Sequence, residues 1–344
     1  MKKLFTIMLV VVIFTTATLF AEGTWEMANA QPVKIDVLIL PKFETNNMSG
    51  DFPGEAQLYY EEYVMGGDEY EIAGNFQGNK LYVKDGIALY VTGVGKVNTA
   101  ISLVSIITDQ RFDFSEAYFF STGCCGSSAG DTTMGDVFII SAVADFDLGH
   151  HADVRDMEYY DENTTTWYPG HDSSSYRLLN QDLVTKVYDL VKDVEIKGTP
   201  KTRAFMAHTF DNAAWATRDP KIMKGTGVTG DNYWKGIYDE NNARAMTAYH
   251  RAPDPFVCTE MEDVALAVAL DRFGYLDRYF IIRDSVNMDV WMNGLTPEIL
   301  WGGKTRHSLA SEDSIEAADI FFTARYNNFN CGKVVVDAIK NGTF

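Results

Sequence analysis

Short apolar runs alternate with longer apolar stripes along most of the chain, and the two spacings predict different elements. The runs that predict strands lie at 33–40, 70–73, 80–83, 87–94, 117–120, 138–140, 255–257 and 279–282. The stripes that predict helices lie at 55–65, 96–104, 183–191, 264–270 and 311–339. Strands that alternate with helices favour a sheet with helices on both faces, so the pattern predicts an α/β fold.

The densest polar chemistry follows the apolar segments 255–257 and 279–282. Glu260 and Glu262 bracket Met261 just after the first segment. The second segment is followed by the polar residues Arg283, Asp284, Ser285, Asn287 and Asp289. Ligands of α/β proteins bind outside the carboxyl ends of strands, and one carboxylate accepts hydrogen bonds from two hydroxyls. The stretch predicts a sugar-diol site or, alternatively, an exposed helix start whose acidic residues favour the positive end of the helix dipole.

Two segments rich in small residues follow predicted strands. The sequence TGVGK at 92–96 allows a tight turn into the next helix and a close approach to its backbone. It lacks the third glycine of a dinucleotide-binding turn and the spacing of a phosphate-binding loop, so an ordinary turn is the alternative. The small residues at 121–130 let a flat ligand lie directly against the main chain.

A third dense segment, at 224–234, ends in Tyr233 and Trp234. Its glycines bound a short strand that delivers both aromatic side chains at its end. Aromatic rings beside a sheet edge can stack on a planar base, and the alternative is that both rings simply pack in the core.

The N-terminus predicts the compartment. Two lysines precede the apolar run 4–20, and small residues at 28–30 form a cleavage pattern. Residues 1–30 therefore predict a secretory signal peptide, with an uncleaved anchor as the alternative, and residues 31–344 one domain without a visible linker. No later segment has about eighteen consecutive apolar residues, so we expect a secreted or periplasmic protein without a further membrane span.

Charge and cysteine content exclude several classes of protein. The net charge of −19 argues against a nucleic-acid partner, since such surfaces are basic. The four cysteines are too few for a disulfide scaffold, although one bridge is compatible with an oxidising compartment. The histidines are scattered, and the adjacent Cys124 and Cys125 lack metal-ligand spacing. We expect no metal and no cofactor, with phosphate left open as a co-substrate.

Four segments in order resemble motifs of the nucleoside phosphorylase/nucleosidase superfamily, most closely its secreted branch of purine nucleoside permeases. TGVGKVNTA at 92–100 is similar to the S-G-x-G-K-x-x-A-A turn of bacterial nucleosidases, and STGCCGSSAGDTTMGDVFI at 121–139 to their T-G-x-A-G…G-D-V-V segment. VTGDNYW at 228–234 is similar to S-G-D-x-F, and TEMEDVALA at 259–267 to V-E-M-E-x-x-A. The resemblance covers nearly the whole mature chain.

This resemblance implies a three-layer α/β/α domain around a twisted mixed sheet. It also implies cleavage of the N-glycosidic bond of a purine nucleoside, by water or by phosphate. The transition state of that reaction resembles an oxocarbenium ion, so the protein must stabilise a positive sugar and assist a leaving base. Because the family assembles as dimers, trimers or hexamers, a homo-oligomer is implied as well.

The matching positions imply a role for each site residue. Glu262 is expected to hold the ribose 2′- and 3′-hydroxyls, with Glu260 as the other member of the acidic pair and Met261 packed against the sugar. Tyr233 occupies the place of the aromatic residue that stacks on the purine. The other positions implied to line the site are Gly95, Cys124, Cys125 and Gly126.

One departure from the family concerns the base. The segment 283–287 reads Arg-Asp-Ser-Val-Asn where the family has Arg-x-x-Ser-Asp, so Asn287 replaces the base-contacting aspartate. An amide cannot donate a proton as a carboxylic acid does, but it can donate to a purine carbonyl and accept from a ring N–H. The replacement predicts a preference for 6-oxopurines such as inosine and guanosine. The alternatives are a strand-end cap at Asn287, or a shifted register that brings Asp284 or Asp289 to the base.

A second departure concerns phosphate. Phosphorylases carry arginines in the first loop and before the T-G-x-x-G turn, where this chain has Glu55 or its neighbour and Ser121. A hydrolase needs a carboxylate to take a proton from water, and Glu55 or Glu44 lies where one is wanted. The sequence therefore favours hydrolysis, while Lys42 and Lys96 keep phosphorolysis open.

The expected function is removal of the base from extracytoplasmic purine nucleosides for salvage. The alternatives are a phosphate-dependent phosphorylase and a non-catalytic nucleoside-binding protein that serves a separate transporter. The combination of Glu262 with Glu55 favours catalysis, because a mere binder needs no second carboxylate at the sugar.

Overall fold

The computed structural model describes residues 31–161, 163–169, 175–290 and 313–344, with side chains from residue 323 onward in the last segment. The predicted signal peptide lies outside these residues. The strands are β1 (Val33–Lys34), β2 (Val37–Leu40), β3 (Asp68–Glu71), β4 (Lys80–Lys84), β5 (Ile87–Leu89), β6 (Phe112–Asp113), β7 (Tyr118–Ser127), β8 (Val137–Asp145), β9 (Gly149–His151), β10 (Trp167–Pro169), β11 (Tyr176–Leu178), β12 (Ile222–Thr229), β13 (Phe256–Glu260) and β14 (Tyr279–Met288). The helices are α1 (Gln57–Tyr59, continued by a π-helical turn at Tyr60–Val64), α2 (Lys96–Ile107), α3 (Gln181–Val191), α4 (Pro200–Thr209), α5 (Ala214–Thr217), α6 (Ile237–Tyr249), α7 (Asp263–Phe273) and α8 (Asp313–Lys340), with 3-10 turns at Val154–Asp156 and Leu276–Arg278.

Ten of these strands form one mixed sheet within the described chain. Their order is β11-β8-β12-β13-β7-β2-β5-β4-β3, and β14 pairs with both β7 and β8. Strand β7 runs parallel to β2 and β14, whereas β13 pairs antiparallel with the end of β7. The end of β7 is therefore bordered by the ends of β13 and β14.

Helices cover both faces of this sheet. Helix α2 packs against α7 on one face, and α8 packs against β14, β7 and α3 on the other. Buried apolar side chains from the strands and from both helix layers form one continuous cluster. This arrangement confirms the expected three-layer α/β/α fold around a mixed sheet.

The two strands that carry most of the polar chemistry are longer than the apolar pattern predicts. The pattern stops where polar residues begin, yet β7 runs to Ser127 and β14 to Met288. Their extensions pair with each other in parallel, from Ser121 opposite Ile281 to Ser127 opposite Met288. Pairing, rather than local β propensity, holds these small and polar residues as strand. The strand predicted at 117–120 therefore continues to Ser127.

The loop after β2 is fixed by the side chain of Glu44. Its carboxylate accepts hydrogen bonds from the backbone N–H groups of Gly54, Ala56 (2.9 Å) and Gln57 (2.6 Å). The first N–H groups of a helix lack an intrahelical partner, and a carboxylate there satisfies them. The spacing of apolar residues predicts a helix that begins at Glu55, whereas helix α1 begins at Gln57.

Candidate functional site

The centre of the site is the guanidinium group of Arg283 on β14, whose side chain is only 1% exposed. It donates to Glu260 (3.2 Å), Glu262 (3.2 Å) and Asp263 (2.7 and 2.8 Å), which end β13 and begin α7. The remaining nitrogen, Nη1, donates to the carbonyl oxygen of Cys124 on β7, 3.1 Å away. Arg283 therefore joins the carboxylates after β13 to the backbone of β7.

More buried carboxyl groups than buried basic groups meet around this guanidinium. The acidic side chains are Glu55, Glu260, Glu262, Asp263 and Asp284, and the basic ones are Lys42, Arg283 and Arg325. Burial, together with repulsion from Asp263, raises the pKa of Glu260 to about 8 against the attraction of Arg283. Burial also raises the pKa of Glu262, although Arg283 and Lys42 oppose it. The site is therefore electrostatically suited to a ligand that develops positive charge.

The carboxylate of Glu260 is engaged in hydrogen bonds within the protein. Its Oε2 accepts hydrogen bonds from the backbone N–H groups of Glu262 and Asp263, each at 2.6 Å, and its Oε1 accepts from the hydroxyl of Thr229. These bonds fix the turn from β13 into α7. Glu260 thus orients its neighbour Glu262, and a direct contact of Glu260 with substrate stays a prediction.

Glu262 has fewer partners among the described residues. One carboxylate oxygen accepts from the N–H of Gly95 at 3.1 Å, and the other accepts from Arg283. Gly95 has a φ of +92°, a conformation that glycine adopts readily, and it is the residue directly before α2. Because each carboxylate oxygen has about two acceptor positions, Glu262 keeps acceptor capacity for the hydroxyls of a ligand.

Glu55 reaches the same region from the loop before α1. Its carboxylate accepts from the backbone N–H groups of Lys42 and Cys124, each at 2.7 Å. The guanidinium of Arg325 on α8 lies 3.7 Å from the same carboxylate. A Cβ at Gly123 would come within 2.6 Å of Glu55, so glycine is needed for this close approach. The Glu55 carboxylate therefore lies directly against β7.

Glu44 and Glu55, the two candidates for the general base, have different surroundings. Glu44 is held by backbone N–H groups at the start of α1. Glu55 is 5% exposed, and its charge lies close enough to contribute to the raised pKa of Glu262. Glu55, unlike Glu44, therefore belongs to the buried group of carboxylates that includes Glu262.

Both lysines that kept phosphate open are engaged inside the protein. Lys42 is buried, its Nζ donates to the Ser121 hydroxyl at 2.8 Å, and burial lowers its pKa. The Nζ of Lys96 lies between the carboxylates of Asp145 (2.8 Å) and Asp147 (2.9 Å). An incoming phosphate would have to compete with these internal partners.

The polar residues at the end of β14 face Gly126 of β7. A Cβ at Gly126 would lie 2.8 Å from Asn287 Nδ2 and 2.0 Å from Asp289 Oδ1. Thr259, at the end of β13, donates its hydroxyl to the same Oδ1 at 2.7 Å. Asn287 Nδ2 and Asp289 Oδ2 are buried without a hydrogen-bond partner in the described chain. Such atoms are rare in proteins, so this pair of polar groups requires an explanation.

The two groups of side chains lie along one strand. The carboxylates meet β7 at Cys124, and the amide group meets it at Gly126. Residues two positions apart in a strand are separated by about 7 Å. This separation is comparable to that between the sugar and the far edge of the base in a nucleoside.

The other predicted site residues differ in how exposed they are and in what they contact. The ring of Tyr233, on the loop after β12, is 46% exposed and has Lys235 Nζ 5.5 Å from its centre. Trp234 stacks on Phe146 with ring centroids 5.1 Å apart, so it packs in the core, whereas stacking of Tyr233 on a base stays a prediction. Met261 is partly buried between the two glutamates, and its contact with a sugar also stays a prediction.

The cysteines contribute backbone rather than reactive thiols. All four are free. Burial raises the pKa of the Cys124 thiol to about 12 and that of Cys125 well above its usual range, which keeps both protonated at neutral pH. Within the described ranges no group of side chains is arranged to hold a metal ion.

Sequence reasoning missed the side chains that organise the site. Arg283 was named only as a polar strand end, although a lone arginine after four apolar residues requires buried carboxylates as partners. Asp263 directly follows the predicted acidic pair, and the sequence indicates it only as an acidic residue of the alternative helix start. Arg325 on α8 gave no signal, because its partners Glu55 and Asp284 are distant in sequence.

We expect Arg283→Met to lower the free energy of unfolding by about 3–5 kcal/mol at pH 7, because the change leaves buried carboxylates without their shared cation. Arg283 holds down the pKa values of Glu260, Glu262 and Asp263, so its loss raises all three in the folded state. Protonation then relieves the repulsion, and the deficit should shrink as the pH falls from 8 to 5.

Urea unfolding of the wild type and the variant across that pH range measures this effect. The matched control is Arg155→Met, since the Arg155 side chain is 81% exposed and its pair with Asp153 contributes little. A deficit that grows on acidification would contradict the assignment of Arg283 as the shared cation.

Comparison with known proteins adds family and fold information. The family model described as purine nucleoside permease matches residues 34–342. A probable purine nucleoside permease of Schizosaccharomyces pombe is 26% identical over 234 residues, which are 61% of this chain and 66% of the relative. A purine nucleoside permease of Candida albicans is 24% identical over 218 residues, or 57% of this chain and 53% of the relative. The match thus spans between half and two thirds of these relatives.

Solved structures identify the fold. The 5′-methylthioadenosine/S-adenosylhomocysteine nucleosidase of Neisseria meningitidis, in complex with methylthio-immucillin-A, superposes with a TM-score of 0.53. The alignment covers 88% of this chain and 99% of the nucleosidase at 17% identity, so it shows a shared fold.

In the part of the chain that the structure describes, no helix is both long and apolar enough to cross a bilayer.

Proposed function

Because this chain belongs to the purine nucleoside permease family, we propose that it binds a purine nucleoside and cleaves the bond between base and sugar with water. The observation that carries the proposal is the meeting of Glu55 and Glu262 at one buried, carboxylate-rich site around Arg283. A protein that only bound a nucleoside would need an acceptor for the sugar diol, but no second buried carboxylate beside it.

Glu262 binds the sugar. Its carboxylate is held in place by Gly95 and Arg283, and its remaining acceptor positions take the 2′- and 3′-hydroxyls of ribose. Met261 packs beside the same ring. The bonds that Glu260 forms with the backbone keep the turn rigid, so the diol acceptor is positioned before the ligand arrives.

Glu55 acts on the water. As the bond to the base breaks, the sugar becomes positively charged, and the excess of buried carboxylates stabilises that charge more than the neutral ground state. The Glu55 carboxylate lies at the backbone of Cys124, beside the proposed sugar position. It takes the proton from the water that attacks C1′.

Water is favoured over phosphate on electrostatic grounds. A phosphate dianion would enter a site in which buried carboxyl groups outnumber basic ones. Lys42 and Lys96, the two lysines that kept phosphorolysis open, are held by Ser121 and by two aspartates. Neutral water meets no such repulsion.

Asn287 reads the base. Its unpartnered Nδ2 donates to the carbonyl at C6 of a 6-oxopurine, and the oxygen of the same amide accepts from a ring N–H. Adenosine presents an amino donor in place of that carbonyl, so Nδ2 would face a second donor. This mismatch explains the proposed preference for inosine and guanosine.

Asn287→Asp is expected to shift the ratio of kcat/KM values for inosine and adenosine by at least about tenfold toward adenosine, since a carboxylate accepts from the adenine amino group. Steady-state assays with both nucleosides measure the ratio. Asn341→Asp, in an exposed turn at the C-terminus, is the matched control and should leave it unchanged. An unaltered ratio in the Asn287 variant would place another residue at C6.

Incubation of the purified protein with inosine, with and without phosphate, tests the proposed reaction. Release of hypoxanthine and ribose without phosphate supports hydrolysis. Release that requires phosphate and yields ribose 1-phosphate would identify a phosphorylase instead. Binding of inosine without any release would overturn catalysis.

The last outcome corresponds to the second candidate function, a nucleoside-binding component of an uptake system. It is favoured by the relatives, which are named permeases. The secreted or periplasmic location depends on residues 1–30, and the homo-oligomer depends on the family resemblance. Both stay predictions, as does the assignment of residues 31–344 to one domain.

A further inference from the structure

The proposed hydrolysis needs a proton donor at the base. When the bond from C1′ to N9 breaks, its electron pair moves into the purine, and a leaving purine anion is poor unless it is protonated. The amide of Asn287 donates hydrogen bonds but cannot give up a proton at neutral pH. Another group near Asn287 must therefore supply it.

Asp289 lies beside Asn287, at the residue that directly follows the end of β14. Asn287 Nδ2 and Asp289 Oδ1 both come within 3 Å of the point above Gly126 where a Cβ would lie, so the two groups are neighbours. The Asp289 side chain is 1% exposed, and its Oδ2 has no partner in the described chain.

The surroundings of Asp289 favour a carboxyl group that exchanges its proton near neutrality. Burial raises its pKa to about 7, against the hydrogen bond from Thr259 and the charge of Lys235, and Glu240 on α6 adds to the rise. Burial in turn lowers the pKa of Lys235 to about 8, and Asp289 opposes that change. Thr259 holds Oδ1 as an acceptor, which leaves the proton to Oδ2.

We propose that Asp289 is the general acid of the reaction and delivers its Oδ2 proton to N7 of the departing purine. This inference rests on the proposed hydrolysis. The carbonyl at C6 and the nitrogen N7 lie side by side on one edge of a 6-oxopurine. Asn287 therefore holds O6 while Asp289, beside it, protonates N7.

The proton balance of the step is complete. The C1′–N9 bond breaks with both electrons going to the base, which receives a proton from Asp289. The water oxygen forms the new bond to C1′ and loses a proton to Glu55. The products are ribose and the neutral purine, and exchange with solvent returns the two carboxyl groups to their starting states.

The test compares two substrates in the Asp289→Asn variant. Inosine needs a protonated leaving group, whereas p-nitrophenyl β-D-riboside releases a stable anion that needs none. We expect kcat/KM for inosine to fall by roughly 10²-fold or more, while that for the p-nitrophenyl riboside changes by less than about threefold. Asp277→Asn, an exposed aspartate on the turn before β14, is the matched control.

A second variant addresses the same role without changing Asp289. The wild-type kcat/KM for inosine should fall as the pH rises through about 7, because the acid must be protonated. Lys235→Met removes the positive charge that lowers the pKa of Asp289, so the fall should move to higher pH. Asp289 and Lys235 interact in the wild type, so the fall of kcat/KM with pH reflects both groups. In Lys235→Met this fall should follow the titration of Asp289 alone.

The possible results separate this inference from the proposed function. If the wild type releases a leaving group from neither substrate, the hydrolase proposal fails. If the wild type is active but Asp289→Asn reduces both substrates equally or neither, Asp289 is not the acid. An unmoved pH limb in Lys235→Met would overturn the assignment even if the Asp289 variant did not fold.

Discussion

Glu262→Ala is expected to lower kcat/KM for inosine by roughly 10²- to 10⁴-fold. The change removes an acceptor for two ribose hydroxyls, and a hydrogen bond to a charged group contributes about 1.5–3 kcal/mol. Arg283 keeps its bonds to Glu260 and Asp263, so the fold should survive. The steady-state rate of hypoxanthine release measures the loss, and urea unfolding checks the stability of the variant.

The substrate 2′,3′-dideoxyinosine makes the assignment specific. The wild type should discriminate strongly against it, because the diol that Glu262 binds is missing. The Glu262→Ala variant should treat inosine and dideoxyinosine nearly alike, whatever its absolute rate. Glu116→Ala, an exposed carboxylate paired with Lys34, is the control for a general loss of charge. Undiminished discrimination in the variant would mean that another residue binds the diol.

Glu55→Gln should lower kcat for inosine by roughly 10²- to 10⁴-fold with little change in KM. Glutamine has the same shape, and its one oxygen can still accept from the N–H of Lys42 or from that of Cys124, which bond to different oxygens of Glu55. It cannot take a proton from water, so the chemical step fails while binding persists. Glu71→Gln, an exposed strand residue, is the matched control and should behave as the wild type.

Added azide distinguishes the loss of the general base from a general disruption of the site. It is a nucleophile that needs no deprotonation, so added azide should restore hypoxanthine release in Glu55→Gln. It should restore none in Glu262→Ala, whose defect lies in the sugar contact. If azide fails to accelerate the Glu55 variant although that variant still binds inosine, the role of Glu55 as the base is wrong.

The hydrophobic pattern was sufficient to predict the order of most elements and the fold class. Strands such as β2 and helices such as α3 and α7 carry their own signal, because burial of one or both faces imposes a period on the apolar residues. Four motifs then predicted the family, and the comparison with known proteins confirms it. Glu262 and Asn287 could be named as candidates because each ends or follows an apolar strand.

The hydrophobic pattern did not predict the C-terminal parts of β7 and β14, which carry the candidate site residues. Residues after Phe120 and Ile282 are small or polar and have no β signal of their own. They become strand because each supplies the other with backbone partners, and that pairing joins positions far apart in the chain. Local propensity cannot report a partner that only the folded chain brings near.

Sequence alone determined the class of fold, the family, and which carboxylates and amide deserved attention, because these depend on local periodicity and on motifs of a few residues. Tertiary structure decided how they are used: Glu44 caps a helix while Glu55 faces β7, and the lysines are held internally. It also surrounds Arg283 with carboxylates and leaves Asp289 Oδ2, beside Asn287, without a hydrogen-bond partner among the described residues. The physical reason is that charge, burial and hydrogen-bond capacity are properties of a neighbourhood, which residues distant in sequence build together.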